Sequence, residues 1–91
     1  MKMIKINRVD AVNDIMYNYY GEVYINADKI ICVEDATCNV DNIFKEHSLY
    51  FYFKEINPNK KFADIIVQFP DGVRSFISVE SKDTIYSMMN D

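Results

Sequence analysis

The sequence has little of several residue types: among 91 residues there are two glycines, two prolines, two cysteines and one histidine. Two glycines are too few for a phosphate-binding loop, and both are expected at turns because glycine accepts positive φ. Two cysteines make no disulfide scaffold. No apolar run is long enough to span a bilayer, and the N-terminal residues do not form a signal peptide. These absences predict a cytoplasmic protein without a membrane span.

Basic residues are also scarce: 10 Lys and Arg against 14 Asp and Glu give a formal net charge of −4. A negative surface repels a phosphate backbone, so the charge disfavours nucleic acid as a partner. Hydrophobic residues make up 49% and charged residues 26% of the chain, which is typical of globular proteins. The length suits one small domain, and we expect a single folded unit over residues 1–91.

Catalytic and metal-binding patterns are weak. His47, the only histidine, has Glu46 beside it but no nucleophile and orienting group at a suggestive spacing. Together with Cys32 and Cys38 it matches no zinc spacing, and a fourth ligand is missing. We therefore predict no catalytic residue, no metal and no cofactor, and a protein that is not an enzyme.

The first third of the chain alternates between apolar and polar residues, which predicts strands. Residues 2–9 form a first strand, and residues 21–26 form another with Val23 and Ile25 inward. Residues 10–20 either make an irregular connection or continue the first strand into a hairpin. Residues 29–34 carry apolar side chains on both faces, and a strand of that kind is expected to be buried on both sides.

The remainder is predicted to contain more strands and one helix. Residues 48–56 form the most strongly β-prone run, and residues 62–69 and 73–79 flank a turn at Gly72. Ser81 is placed to cap a short C-terminal helix whose apolar residues recur at i, i+3 and i+4. A helix this short must pack on the sheet to be stable.

The predicted fold class is α+β and mostly β: five or six antiparallel strands in a meander or a small barrel, with a short C-terminal helix. One shared core is expected. Its predicted members are Ile4, Ile6, Val23, Ile25, Leu49, Phe51, Phe53, Ile65, Val67, Phe69, Ile77 and Val79.

Tyrosines are the most suggestive candidates for a binding surface, because this residue type is favoured at protein interfaces. They could equally form cross-strand pairs within the sheet. Stacking on nucleobases is disfavoured, since the neighbouring residues are not basic enough to form a positive groove. The predicted interaction residues are Tyr19, Tyr20, Tyr24, Tyr50 and Tyr52.

The polar corner between two of the strands is interpreted as structural. The side chain of Asn26 or Asp28 can bond its own backbone and hold a tight turn. Gly72 is a turn residue in the later hairpin, because glycine accepts positive φ. We therefore expect Asn26→Ala and Asp28→Ala to lower the stability of the fold, not the rate of a catalysed reaction.

The order of strand, corner, glycine turn and helix start resembles the FlbD-like family of very small flagellar and swarming-motility proteins. The resemblance does not extend to residues 11–20 and 35–61. It implies a small β module with a motility-associated role. The matching positions are the strand of residues 4–9 and Asn26, Asp28, Ile30, Gly72, Val79, Glu80, Ser81 and Ile85.

These observations favour a non-enzymatic interaction module that presents a sheet edge or tyrosines to a protein partner or to a second copy. Residues 48–53 carry no charge and no proline, so as an open edge they would template strand pairing. We predict a homodimer formed through strand edges and outward tyrosines. The alternatives are a small acidic inhibitor or regulator from a mobile element, acting by charge complementarity, and a nucleic-acid binder.

Overall fold

A computed structural model describes residues 2–12, 15–36, 53, 55–57 and 61–91. These residues form five strands and a C-terminal helix, with a 3-10 turn at Ala27–Lys29 between the second and third strands. The elements are β1 (Met3–Val12), β2 (Ile15–Asn26), β3 (Ile30–Asp35), β4 (Ala63–Phe69), β5 (Gly72–Ser78) and α1 (Lys82–Asn90).

The strands form an open antiparallel sheet in the order β2-β1-β5-β4-β3. The predicted fold class, a mostly β α+β domain with a short C-terminal helix, is confirmed. Strands β1 and β2 form a hairpin, which decides between the two alternatives for residues 10–20. Strands β3, β4 and β5 form a meander, and a short ladder that pairs Arg8 with Ser78 joins it to the hairpin.

The sheet is strongly coiled because its two edge strands are consecutive in the chain. In a flat five-stranded sheet, with strands ~4.8 Å apart, the edges β2 and β3 would lie about 19 Å from each other. The 3-10 turn that joins them has only three residues, and such a turn advances only ~6 Å. The end of β2 and the start of β3 must therefore approach each other, and one face of the sheet becomes an enclosed inner face.

The main core lies on this inner face, which carries Ile4 and Ile6, and it includes Ile85 from α1. Val33, Ala63 and other strand residues complete the buried cluster. The core prediction is confirmed for the residues that belong to the cluster or pack at its margin: Ile4, Ile6, Val23, Ile25, Ile65, Val67 and Phe69.

The prediction of one shared core is wrong for Phe53, Val79 and Ile77. Phe53 and Val79 are fully buried but lie outside the main cluster, and Ile77 is only half-buried. Phe76, which pairs with Ile65 in the β4–β5 ladder, takes the inner face instead of Ile77. The alternation of β5 fits both phases, and pairing with β4 selects the one that the pattern did not favour.

The prediction of a strand over residues 48–56 is wrong for the part that the structure describes. The backbone N–H of Asn57 donates to the carbonyl of Phe53 at 2.9 Å, the i to i+4 bond of an α-helix. β propensity is strongly dependent on context, and a short aromatic run does not distinguish strand from helix. Leu49 and Phe51 lie outside the described residues. The described residues of the run are helical: Phe53, Glu55 and Ile56.

A buried polar network fixes β1 to the segment between β5 and α1. The Glu80 carboxylate accepts from the Asn7 backbone N–H at 2.9 Å, from Asn7 Nδ2 at 2.7 Å and from Ser78 Oγ at 2.8 Å. Glu80 is only 9% exposed, and Asn7 and Ser78 are also buried. Because buried polar groups are costly when unpaired, this set of bonds determines where β1 meets the end of β5.

Candidate functional site

The corner between β2 and β3 is held by a local side-chain bond. Asn26 caps the 3-10 turn, and its Oδ1 accepts the backbone N–H of Asp28 at 3.0 Å. Asp28 contributes this N–H, and its side chain is exposed. Gly72, in the other predicted turn, has a φ of +142°. Residues that carry a side chain rarely adopt this backbone conformation. Each of these residues thus has a structural explanation in its own turn.

Replacing Asn26 by alanine is expected to destabilise the fold by about 1 kcal/mol, because the cap bond to Asp28 is lost. Chemical denaturation of Asn26→Ala beside wild type measures this cost. Asp28→Ala is the matched comparison: it keeps the backbone N–H that makes the bond, so its cost should be smaller. An Asp28→Ala variant less stable than Asn26→Ala would show that the corner is held in another way.

The outer edge of β2 has backbone groups that point away from β1. The Ala27 N–H donates to the Lys2 carbonyl at 2.8 Å, which makes these two residues a hydrogen-bonded pair. Bonded and non-bonded pairs alternate along an antiparallel ladder, and the register from there to residue 22 is regular. Glu22 and Tyr24 therefore direct their N–H and C=O groups outward. No other strand pairs with this edge in the described part of the chain.

Strand β2 lacks several features that usually protect an edge strand from pairing. Its twelve residues contain no lysine and no proline, and Glu22 is the single charged residue. That carboxylate lies 3.2 Å from Lys5 Nζ, so part of its charge is compensated. Irregularities in the ladder lie nearer the start of β2, at and before Gly21. The regular stretch of residues 22–26 is consequently the part best suited to accept another strand.

The other edge strand, β3, is partly covered by the helix. Ala36 donates to the Phe62 carbonyl at 2.8 Å, so the alternation of the ladder directs the backbone groups of Val33 away from β4. The Val33 carbonyl accepts the Tyr86 hydroxyl of α1 at 3.2 Å. The prediction that this strand is buried on both sides is wrong, because Ile31 is 55% exposed at the sheet edge. β2 is therefore the less protected edge.

Two of the five predicted interaction tyrosines have exposed side chains in the structure. Tyr24 is 67% exposed and Tyr20 is 48% exposed, and both lie in β2. Tyr19 lies in the same strand, and its backbone pairs with Val9 of β1. Its side chain is outside what the structure describes. Tyr50 and Tyr52 lie outside the described residues. Tyr24 thus accompanies the outward edge of β2, whereas the Tyr20 hydroxyl donates to Asp10 of β1 at 3.3 Å.

A pocket of about 380 Å³ opens between the C-terminal half of β2 and the β4–β5 hairpin. Arg8 lies in its wall, with the guanidinium 4.5 Å from the Tyr20 ring centroid and 4.3 Å from that of Phe76. Such stacking on two rings holds a cation by its attraction to the ring faces. The apolar lining consists of Met3, Val23, Ile25, Val67, Phe69, Pro70 and Phe76.

Two carboxylates oppose each other across the β3–β4 ladder. Glu34 and Asp64 are direct cross-strand partners. Burial raises the pKa of Asp64 above its usual range, and the charge of Glu34 raises it further. Like charges placed directly opposite destabilise a sheet, so this pair is a local cost to the fold.

Asp64→Asn is expected to stabilise the protein by ~0.5 kcal/mol at neutral pH, because it removes the repulsion. A raised pKa means that Asp64 contributes most favourably at acid pH, where it is protonated, and that this contribution is lost as the pH rises through the raised pKa. The gain should therefore shrink as the pH falls through the raised pKa of Asp64, and it should level off below the ordinary range of an aspartate. Thermal unfolding from pH 3 to pH 7 measures it, and a gain that grows towards pH 3 would contradict the sign.

Of the residues weighed for metal or acid–base chemistry, Cys32 is the one that lies in the described part of the chain. Cys32 is a half-buried free thiol in β3, while Cys38 and His47 lie outside the described residues. Among residues 2–12, 15–36, 53, 55–57 and 61–91, no three His, Cys, Asp or Glu side chains are placed to hold a metal ion. Among the same residues, none of the helices has the length and the apolar composition needed to cross a membrane.

Sequence reasoning missed the pocket and Arg8. A signal was present: Arg8 follows Ile4 and Ile6 at the same two-residue period, so an arginine stands where the alternation calls for an apolar side chain. Pairing between distant strands then brings Phe76 beside it, which no local pattern predicts.

Comparison with known proteins finds no similarity: no family model, no curated protein and no solved structure matches this chain.

Proposed function

We propose that this chain is a non-enzymatic protein-interaction module that binds by adding a partner's strand to the outer edge of β2. The observation that carries the proposal is the outward direction of the Glu22 and Tyr24 backbone groups on an edge with a single charged side chain. Unpaired N–H and C=O groups along an edge supply the affinity in strand addition, and alternate side chains supply the specificity.

The partner we propose is a second copy of the chain. An antiparallel pairing of β2 with β2 around a two-fold axis at Val23 sets Tyr24 opposite Glu22 of the partner subunit. Each carboxylate then faces a ring and not another carboxylate, which avoids like-charge repulsion across the ladder. A second subunit also adds buried apolar area to a domain of only 91 residues. The resemblance to FlbD-like proteins supports a motility-associated role for such a dimer.

Tyr24→Pro tests this proposal directly. Proline removes the N–H of Tyr24, and edge positions whose N–H points away from the sheet tolerate it. We expect wild type to sediment as a dimer at micromolar concentration and Tyr24→Pro to sediment as a folded monomer. Tyr24→Ala is the matched control, because it removes the ring and keeps the N–H, so it should weaken the dimer without abolishing it.

Circular dichroism establishes that the Tyr24→Pro variant has kept its sheet. Ile25→Pro should lose the sheet, since the N–H of Ile25 bonds Ile4 within the ladder. A wild-type monomer at micromolar concentration, or a Tyr24→Pro variant that remains dimeric, would refute pairing through this edge.

Salt tests whether the dimer is held by backbone pairing or by charge. Binding driven by charge complementarity weakens steeply as the ionic strength rises, whereas backbone pairing and ring contacts change little. We expect the dimer to persist from 50 mM to 500 mM salt. A dimer that dissociates over this range would count against strand addition.

A further inference from the structure

We propose that the pocket beside β2 binds a small apolar carboxylic acid, with the guanidinium of Arg8 holding the carboxylate. The pocket volume of about 380 Å³ falls in the range of sites that bind small molecules, which are mostly apolar with a few placed polar groups. This site has that character, because seven apolar side chains line it and the arginine lies in its wall.

Arg8 has an unused hydrogen-bond donor. Its Nε is buried and has no hydrogen-bond partner in the part of the chain that the structure describes. A buried donor without a partner costs free energy, and an arginine can donate from Nε and a terminal nitrogen to both oxygens of one carboxylate. Because Nε has no surface open to solvent, a carboxylate in the pocket approaches the terminal nitrogens of the guanidinium, and Nε joins the pair only after a small shift of the side chain.

The charges of the lining select the sign of the ligand. Arg8 and Lys29 line the pocket, and no aspartate or glutamate does so among the described residues. Asn26 and Gln68 add uncharged polar groups. On a chain whose net charge is −4, a pocket with only positive charges favours a negative ligand over a neutral or positive one of the same shape.

The volume sets the size of the ligand. At the ~30 Å³ that a water molecule occupies in the liquid, the pocket holds about a dozen non-hydrogen atoms. Decanoate has that number of atoms and a single carboxylate on an unbranched chain. It is therefore the probe of choice, with decanol and decylamine as uncharged and positively charged probes of similar length.

Isothermal titration of the three probes against the full chain tests the proposal. We expect decanoate to bind most tightly and decylamine most weakly. Arg8→Gln should weaken decanoate binding about tenfold or more, because the charged hydrogen bonds are lost, while decanol binding should stay the same. Lys29→Gln is the matched charge control, and its effect should be smaller. Equal binding of decanoate and decylamine, or no decanoate binding at 1 mM, would overturn the proposal.

Chemical shifts of the wild-type chain keep the test independent of how well Arg8→Gln folds. Decanoate should shift the methyl signals of Val23 and Val67 and the ring signals of Phe76, which line the pocket. Val73 is 57% exposed and lies on the opposite face of β5 from Phe76, so its methyl signals should not move. Shifts at Val73 equal to those at Val23 would mean non-specific binding and would overturn the assignment.

Discussion

Replacing Glu80 by alanine is expected to destabilise the fold by about 3 kcal/mol or more, because three buried donors lose their acceptor at once. The carboxylate accepts from the Asn7 N–H, from Asn7 Nδ2 and from Ser78 Oγ. An alanine at this position leaves these groups unpaired in a site that water reaches only slightly, since Glu80 is 9% exposed. Urea denaturation of Glu80→Ala beside wild type measures the loss.

Glu80→Gln is the informative companion to this variant. It keeps the size of the side chain and one acceptor oxygen, but its NH₂ group faces a donor, so its cost should lie between those of wild type and Glu80→Ala. Asp83→Ala, an exposed acidic position in the first turn of α1, controls for the loss of one negative charge. A Glu80→Ala variant as stable as Asp83→Ala would mean that the network does not hold β1.

Replacing Ile65 by alanine is expected to cost 2–5 kcal/mol, roughly the range for truncating a buried isoleucine. Ile65 is fully buried in β4, between Val33 on one neighbouring strand and Phe76 on the other. Ile31→Ala makes the same chemical change in the edge strand β3 at a position that is 55% exposed. Its cost should be within about 0.5 kcal/mol, as for most surface substitutions.

The pair Ile65→Ala and Ile31→Ala tests the arrangement of the sheet as well as its stability. If β3 were buried on both faces, Ile31→Ala would lower the free energy of unfolding about as much as Ile65→Ala does. Equal losses in thermal or urea unfolding would therefore contradict the placement of β3 at an open edge with one face covered.

Apolar–polar alternation and capping residues predicted the parts of the fold that depend on interactions between near neighbours in the chain. Strand alternation gave the correct phase for β2, because Val23 and Ile25 point to the core while Tyr24 is exposed. The Asn26 cap and the Ser81 cap of α1 follow from side chains that bond nearby backbone groups.

Features that depend on pairing between distant segments were not predictable from the sequence. The phase of β5 was misassigned because its apolar residues fit either face, and the register with β4 decided between them. Asn57, which follows the predicted strand of residues 48–56, is buried and donates through Nδ2 to the Val79 carbonyl at 3.0 Å. The bond between Asn7 and Glu80 joins residues 73 positions apart in the chain, and no local pattern specifies such a contact.

The candidate site follows the same division. The exposure of Tyr24 was expected from strand alternation, whereas Tyr20 lies in residues 10–20, for which two alternatives were open. The strand order makes β2 the open edge, and packing of α1 brings Tyr86 over part of the other edge. Neither feature is visible in the local sequence. The sequence contained the arginine of the pocket but not the two rings that flank it.

Amide hydrogen exchange in β2, followed as the protein concentration is raised, tests the central claim most directly. The Ile25 N–H, bonded within the β1–β2 ladder, should be protected at every concentration. The outward N–H groups of Glu22 and Tyr24 should exchange rapidly in dilute solution and become protected as the dimer forms. Protection of these two amides in a dilute monomer, or rapid exchange at all concentrations, would contradict an edge that is open in the monomer and paired in the dimer.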